Sequence, residues 1–385
     1  MAADVDLDEP DGRRVHVSEV ARGLGAIASV DLVAHGADPR IAGVAHVAVP
    51  RWGGAGRIAA LTLVTARTLM LRRRRASAVY LRHDPGTVPA ALLARLLRYR
   101  LVLEVNAISV DLQRDAPRGL GGRLKAAVKA VGDRRAVRAA HAVVVVSAEL
   151  RDSVAALRRD GARAVHVIPN GADTRMFHPM DAAAAAGRAG LDPSAEHVVF
   201  TGTLTWWMDL GTLVDAFAQV HAERPATRLV IVGDGPERPA VEQRAAGLPV
   251  VLTGALADRA RVADHVAAAR VCVAPADPRL RTARSPLKVL EYLASGRPVV
   301  ASDVAGNRDP IDLTGGGVLV PPDDPRAMAS AILALLADPE RAERIGAEAA
   351  AIVAADHSWM SVCDRLQPLL GIRDARARRS DAARP

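Results

Sequence analysis

Residues 283–302 read ARSPLKVLEYLASGRPVVAS. The chain holds 48 Arg and only 3 Lys, and one of those, Lys288, stands three residues before Glu291. Around them Val289, Leu290, Tyr292 and Leu293 repeat at helical spacing. Ser285 suits an N-cap, Pro286 a first helical position and Gly296 the residue that stops a helix, which predicts a helix over 286–295. A helix N-terminus carries unpaired N–H groups and about half a positive charge, so it attracts an anion such as a diphosphate. Lys288 adds a cation where the helix itself disfavours one, and that calls for an anion nearby; a lysine serves phosphate as a point charge. Glu291, one turn on, offers a carboxylate able to accept from vicinal hydroxyls such as those of a ribose. The plain alternative is a solvated Lys–Glu pair at i, i+3, contributing only a few tenths of a kcal/mol. Spacing alone does not choose between them.

Such a site needs a scaffold. The 385 residues, 50% hydrophobic and 24% charged, fit two globular domains. Short apolar runs alternate with helical stretches throughout. Strands are expected at Val30–His35, Val44–Val49, Ala78–Leu81, Leu101–Val105, Ala142–Val146 and Ala164–Ile168. A second set follows at His197–Gly202, Arg228–Gly233, Val250–Thr253, Val271–Ala274, Pro298–Ala301 and Gly317–Val320. Near-continuous apolar strands alternating with helices mean α/β architecture, with two doubly wound parallel sheets covered on both faces. Such sheets bind ligands at the carboxyl ends of their strands, so two of them are expected to face each other across a cleft. We expect an N-terminal acceptor domain over 1–175, a donor domain over 176–356, a helix over 357–371 returning to the first domain, and a disordered tail over 372–385. The opening residues MAADVDLDEPDG read poorly as a buried central strand, because acids crowd it. Either the first strand is truncated or Ala3–Leu7 forms a short one.

Cys272 and Cys363 are the only cysteines and lie far apart, which fits core residues in a reducing compartment. No apolar run is long enough to span a bilayer, and the start has no signal-peptide core. These features point to a cytoplasmic protein, with peripheral attachment to the inner face of a membrane left open. The formal charge of +8 favours anionic partners. No zinc spacing, RNA-binding aromatic motif or helix-turn-helix stands out, so nucleic acid is not expected.

The stretch SPLKVLEYLASGRPVVAS resembles the nucleotide-sugar-binding signature of the family-four retaining glycosyltransferases, which have the GT-B fold. VHVSEVARGL (15–24), VVVVSAELRDSV (143–154), VIPNGADTRMF (167–177), FTGTLTWWMDLGTLVDAF (200–217), LVIVGDGPER (229–238), LTGAL (252–256) and Ser358–Trp359 agree in order and spacing. The resemblance covers nearly the whole chain. It implies that Glu291 holds the donor ribose and that Ser285, Pro286, Leu287 and Lys288 form the loop at the diphosphate. It places Gly202 and Thr203 on the glycine turn after the first donor-domain strand. It makes Gly233, Gly235 and Pro236, with Gly254 and Leu256, walls of the base pocket. Three positions depart from the family: Ala283 stands for a sugar-contacting Glu, Thr203 for an Arg, and Trp206–Asp209 for a Lys-bearing segment. Both usual diphosphate cations are absent, and Lys288 is the expected replacement.

On the acceptor side Asp11-Gly12-Arg13-Arg14 resembles the family's glycine-containing loop, so Gly12, Arg13 and His16 are expected near the acceptor. Arg82 and Asp84, at a strand end, join them as acceptor contacts, and His83 as a catalytic candidate. Asn106 stands where the family often has a His near the donor sugar. Asn cannot act as a base at neutral pH, which fits a retaining reaction in which the leaving diphosphate deprotonates the acceptor. Glu104 is open to three readings: a partner of Asn106, a base, or a buried strand-end carboxylate. Arg72–Arg75 and the cations Arg118, Arg123, Lys125, Lys129, Arg134, Arg135 and Arg138 lie on amphipathic helices that suit an anionic membrane surface.

The expectation is therefore a glycosyltransferase that moves a sugar from a nucleotide sugar to an acceptor glycan, lipid-linked sugar or small-molecule aglycone. No cofactor is expected beyond the nucleotide-sugar co-substrate. No metal is implied, since no Asp-x-Asp pair sits at a donor-domain strand end. A catalytically weakened donor-binding or scaffold subunit, and a sugar-nucleotide epimerase of the same fold, are the alternatives.

Overall fold

The computed structural model describes residues 1–9, 11–53, 55–73, 75–106, 120–279 and 286–372. Ser285, Ala283, Arg74 and Arg118 therefore lie outside the described residues, as do the side chains of Arg123 and Lys125. The chain forms two compact units. One comprises Met1–Asn170 with the segment from Trp359 onward, and the other Gly171–Ser358 apart from the short 282–285 stretch.

The first unit is built on seven strands: β1 (Ala2–Asp6), β2 (Val30–His35), β3 (Val44–Val49), β4 (Ala78–Arg82), β5 (Arg100–Val105), β6 (Ala142–Val145) and β7 (Val165–Val167). All pair in parallel, in the order β3-β2-β1-β4-β5-β6-β7. Its helices are α1 (Gly12–Ile27), α2 (Ala55–Arg72), α3 (Val88–Leu96), α4 (Leu120–Ala139) and α5 (Ala148–Ala155). Right-handed crossovers from β1 to β2 run one way along the sheet, and those from β3 through β6 run the other. This puts α1 on one face and α2, α3 and α4 on the opposite face.

The acidic opening does form a strand, and a central one. Ala3, Val5 and Leu7 pack with Val17, Ala21, Leu32, Ala34 and Ile41. The acids that argued against burial find cations from distant parts of the chain. Asp4 Oδ1 accepts from Arg57 Nε at 2.6 Å. Arg51 donates to both oxygens of Asp6, and that hydrogen bond is the main cause holding the Asp6 pKa below its ordinary value.

The second unit has six parallel strands in the order β10-β9-β8-β11-β12-β13. They are β8 (Glu196–Thr201), β9 (Thr227–Val232), β10 (Val250–Gly254), β11 (Ala269–Ala274), β12 (Val299–Ser302) and β13 (Gly317–Val320). Around them run α6 (Ala182–Ala189), α7 (Leu210–Glu223), α8 (Arg238–Arg244), α9 (Arg259–Ala267), α10 (Leu287–Ala294), α11 (Ala305–Thr314), α12 (Pro325–Ala337) and α13 (Pro339–Asp356). The last helix, α14 (Trp359–Leu370), belongs to the first unit and packs on α1. Gly23 permits that contact, since a Cβ there would sit 2.4 Å from Cys363 Sγ. Among the described residues no helix is long and apolar enough to cross a membrane.

Candidate active site

In the second unit, glycines end the strands. Gly202 follows β8 with φ +142° and Gly233 follows β9 with φ +143°, conformations that side chains rarely adopt. The two turns touch. A Cβ on Gly233 would lie 2.0 Å from the Gly202 carbonyl oxygen, and one on Gly202 would lie 2.8 Å from Lys288 Nζ. Gly235 likewise abuts the Leu204 carbonyl, at 2.4 Å from a built Cβ. Gly233 N–H donates to Gly254 O at 3.0 Å, which ties the ends of β9 and β10. Leu256 packs on the core beneath, while Thr203 and Pro236 are exposed.

Lys288 reaches this glycine turn from the first turn of α10. Val289, Leu290, Tyr292 and Leu293 bury the other face of that helix. The Tyr292 hydroxyl accepts from Thr201 N–H at 2.6 Å, which locks α10 to the end of β8. Pro286, rather than Ser285, occupies the N-cap position, so the helix starts one residue later than expected. Gly296 follows the helix with φ +69°, as its stopping role requires. The Lys288 ammonium sits 4.0 Å from the centroid of the Phe200 ring and 3.2 Å from Met208 Sδ. Among the described residues no carboxylate lies within ion-pair distance of it. Burial pushes its pKa down to about 7, and the nearby charge of Glu291 offsets only part of that.

Glu291 projects one turn further on and receives Arg259 Nη2 on Oε1. Arg259 opens α9 just beyond its N-cap Asp258, and its guanidinium lies over the Phe177 ring. Sequence reasoning did not single out Arg259; its signal was an Asp-Arg pair opening a helix after a strand. Nor did it predict the loop pairing beside Trp206. There Arg279, gripped by Asp277, lies 5.4 Å from the Trp206 ring centroid, and Asp277 N–H donates to Trp207 O at 3.0 Å. A separate concavity of about 300 Å³, lined by Pro179, Arg270, Arg297 and Glu343, lies at the amino ends of β11 and β12 and contains none of the expected donor residues.

In the first unit the expected residues gather at the carboxyl ends of three adjacent strands, β1, β4 and β5. Asp11 caps α1 by accepting from Arg14 N–H at 2.9 Å and holds Arg13 Nε at 2.7 Å, so Gly12 and Arg13 form the first turn of that helix. Glu104 is the hub. Its buried carboxylate accepts from Tyr80 Oη at 2.6 Å and from Asn106 Nδ2 at 2.6 Å, and His16 Nε2 lies 2.6 Å from Oε1. Burial is the largest influence on Glu104 and would raise its pKa. The charge and hydrogen bond of His16, with Arg82 and the Tyr80 hydroxyl, outweigh it and hold the pKa at about 2. A carboxylate so engaged is a poor proton acceptor near neutrality. The edge of the Trp359 ring closes over His16 at 5.2 Å.

His83 is buried and bound through Nε2 to Asp133 Oδ1 at 2.9 Å; its Nδ1 has no partner among the described residues. Asp84 caps the short helical turn that follows, accepting from Gly86 N–H while its own N–H donates to Thr87 Oγ1. Arg82 is partly buried and adjoins Glu104 through the strand register. The structure thus joins His16, Glu104 and Asn106 in one network and assigns Asp84 a capping contact.

Residues 195–338 match the family described as Glycosyl transferases group 1, and residues 10–175 match Glycosyltransferase Family 4. The alpha-maltose-1-phosphate synthase of Mycolicibacterium smegmatis is 31% identical over 92% of this chain and 93% of that protein. A GDP-mannose-dependent alpha-(1-6)-phosphatidylinositol dimannoside mannosyltransferase of Mycobacterium tuberculosis is 32% identical over 48% of this chain and 47% of its own. Among solved structures, sucrose-phosphate synthase from Thermosynechococcus elongatus superposes with a TM-score of 0.73 at 19% identity, covering 100% of this chain and 99% of that one. Anabaena HepE in complex with UDP-glucose gives 0.73 at 18% identity over 96% and 98%. The chain belongs to the group 1, family 4 glycosyltransferases and is a glycosyltransferase of the GT-B fold.

Proposed function

We propose that this glycosyltransferase takes its sugar from a nucleoside diphosphate sugar and transfers it to an acceptor hydroxyl with retention of configuration. The observation that carries the reading is Lys288: an ammonium with no ion-pair partner among the described residues, at the first turn of α10 and against Gly202. A diphosphate there would gain both the charge and the helix amides. Glu291, oriented by Arg259, would accept the ribose hydroxyls. The base would lie along Gly233, Gly235 and Pro236, on turns held in place by the close backbone packing of Gly233 on Gly202 and of Gly235 on Leu204. Two relatives support a nucleotide-sugar donor through their own ligands: HepE has been crystallised with UDP-glucose, and the mycobacterial mannosyltransferase is GDP-mannose-dependent.

In the reaction, the bond from the anomeric carbon to the diphosphate oxygen breaks and its electron pair leaves with the diphosphate. The acceptor oxygen bonds to the same face of that carbon and passes its proton to the departing phosphate oxygen. Lys288 and the helix amides stabilise the charge that develops on the leaving group. Glu104 acts as a positioning residue: it takes Asn106 Nδ2, leaving that carboxamide its oxygen as an acceptor for a sugar hydroxyl. The two cysteines, free and buried, accord with a reducing cytoplasm.

The test is a thermal-shift panel of nucleotide sugars and nucleoside diphosphates on the wild type, Glu291→Ala and Lys288→Ala. A ligand that binds the folded state raises its melting temperature. One donor class should stabilise the wild type, both substitutions should remove the shift, and that donor should release its nucleoside diphosphate on incubation with acceptor extract. Absence of any shift in the wild type would refute the donor assignment; a shift without release would favour a donor-binding subunit.

A further inference from the structure

The three helices α2, α3 and α4 cover one face of the first unit's sheet, with α3 packed between the other two. Their inner sides are buried in the ordinary way: Leu61, Leu69, Ala90, Ala94, Ala136 and Val137 belong to the core. Their outer sides are not ordinary. On α2, Leu63, Met70 and Leu71 are exposed, Leu71 to 72%. On α3, Leu92 and Leu96 are exposed, Leu96 to 77%, and on α4 so are Val128 and Val131. Single exposed apolar residues need no explanation, but a set of them on adjacent helices of one face does.

The charges between them all have one sign. Arg67, Arg95, Arg134 and Arg135 are exposed on the same three helices. The only acid in the three helices is Asp133, which is buried against His83. Arg72 is committed to Asp31, so among the described residues the cations that remain near the end of α2 are Arg73 and Arg75. Among the described residues, Arg67, Arg73, Arg134 and Arg135 have no carboxylate within ion-pair distance. A face of leucines and valines edged by cations repels a second copy of itself. It complements a surface that is apolar below and anionic at its rim.

We propose that the α2–α3–α4 face docks this protein on an anionic lipid bilayer. Leu63, Met70, Leu71, Leu92 and Leu96 enter the interface and the arginines meet the headgroups. This goes beyond the assignment of the donor site and does not depend on it, since none of these residues belongs to that site.

The experiment is co-sedimentation of the full chain with phosphatidylcholine vesicles and with vesicles that also contain phosphatidylglycerol, at low and high salt. The wild type should sediment with the anionic vesicles, release at high salt and ignore the neutral ones. Leu71→Ser with Leu96→Ser should weaken binding at least tenfold, since each leucine transferred from water to the interface contributes of that order. Arg134→Ser with Arg135→Ser should weaken it roughly tenfold or more at low salt, from about 1 kcal/mol per cation near the surface. All four side chains are exposed, so unfolding midpoints and any nucleotide-induced thermal shift should stay unchanged, which separates loss of docking from loss of fold or donor site. Wild-type protein left in the supernatant with anionic vesicles at low salt would overturn the proposal. So would serine variants that bind as well as the wild type, or a wild-type dimer that the leucine substitutions dissociate.

Discussion

Replacing Lys288 by Met should stabilise the ligand-free protein while abolishing donor binding. Methionine matches the lysine stem in length and bulk and suits a contact with Phe200 and Met208. It removes the buried charge. The Lys288 amine falls from an ordinary 10.5 to about 7, mainly through burial. At 1.36 kcal/mol per pH unit that displacement would amount to about 5 kcal/mol in a wholly dry site. Lys288 keeps part of its surface in water, so screening reduces the cost, and we expect about 2 kcal/mol. The pH window follows from the direction of the displacement. Below pH 7 both folded and unfolded chains hold the proton, and folding bears the full cost of burying it. Between about 7 and 10.5 only the unfolded chain holds it, so wild-type stability rises with pH across that range. The gain from Lys288→Met should therefore be greatest at pH 6 and smaller at pH 9. Urea unfolding of both proteins at those two values, without ligand, reads it directly. A nucleotide sugar, whose diphosphate ester does not titrate near neutrality, should raise the wild-type melting temperature most below pH 7 and leave Lys288→Met unmoved. A variant less stable than the wild type at pH 6, or one that keeps the nucleotide-sugar shift, would refute the reasoning.

Glu104→Gln should cost about 3 kcal/mol at pH 7, from a carboxylate held near 2 instead of 4.5, measured by urea unfolding. Because that pKa is depressed, the contribution is fully present above about pH 4.5 and lost as the pH falls toward 2; a wild type–variant difference that persists at pH 2.5 would count against the network. Gly233→Ala should lower stability by several kcal/mol or prevent folding, since its Cβ would sit 2.0 Å from the Gly202 carbonyl at a φ of +143°; an unchanged unfolding midpoint would contradict the turn geometry. Trp206→Ala should weaken binding of a nucleotide sugar several-fold and leave binding of the bare nucleoside diphosphate unchanged, since Trp206 lies on the same turn as Met208, beside Lys288, where the transferred sugar would stand. Calorimetric titration with the two ligands separates those outcomes, and equal losses for both would rule the sugar contact out.

What the sequence made legible was local. Parallel strands buried on both faces must be apolar almost throughout, so VVVV at 143–146 and LVIV at 229–232 announce themselves. Lys288 and Glu291 share one helix, and their spacing alone put them on one side of it. What stayed hidden depends on partners far along the chain. The opening strand looked too acidic because the cations of Asp4 and Asp6 arrive from Arg57 and Arg51. Helix α11 went unread because Pro310 and two acids interrupt its apolar pattern. Arg259 reaches Glu291 from a different helix, and Tyr80 reaches Glu104 from the neighbouring strand; neither contact has a signature in the spacing of its own segment. His83 reads as a catalytic candidate at a strand end, and the partner of its Nε2, Asp133, stands fifty residues on.

The two polar centres differ in a way that bears on where chemistry happens. Glu104 is buried with two hydrogen-bond donors and the His16 ring around it, so its charge is met by the fold itself, and its removal is expected to damage the fold. Lys288 has no carboxylate within ion-pair distance among the described residues, and the charge of Glu291 offsets only part of its burial, so its removal is expected to relieve the fold. A buried ion with a complete set of partners gains nothing further from a ligand, whereas one with a deficit gains what the ligand brings. Both kinds of residue stand at strand ends, where this architecture places its ligands. Position alone therefore cannot separate scaffold from site, and the balance of charge does. By that measure the proposed donor site at Gly202, with Lys288 over it, would be completed by an anion, whereas the Glu104 network would hold its neighbours still.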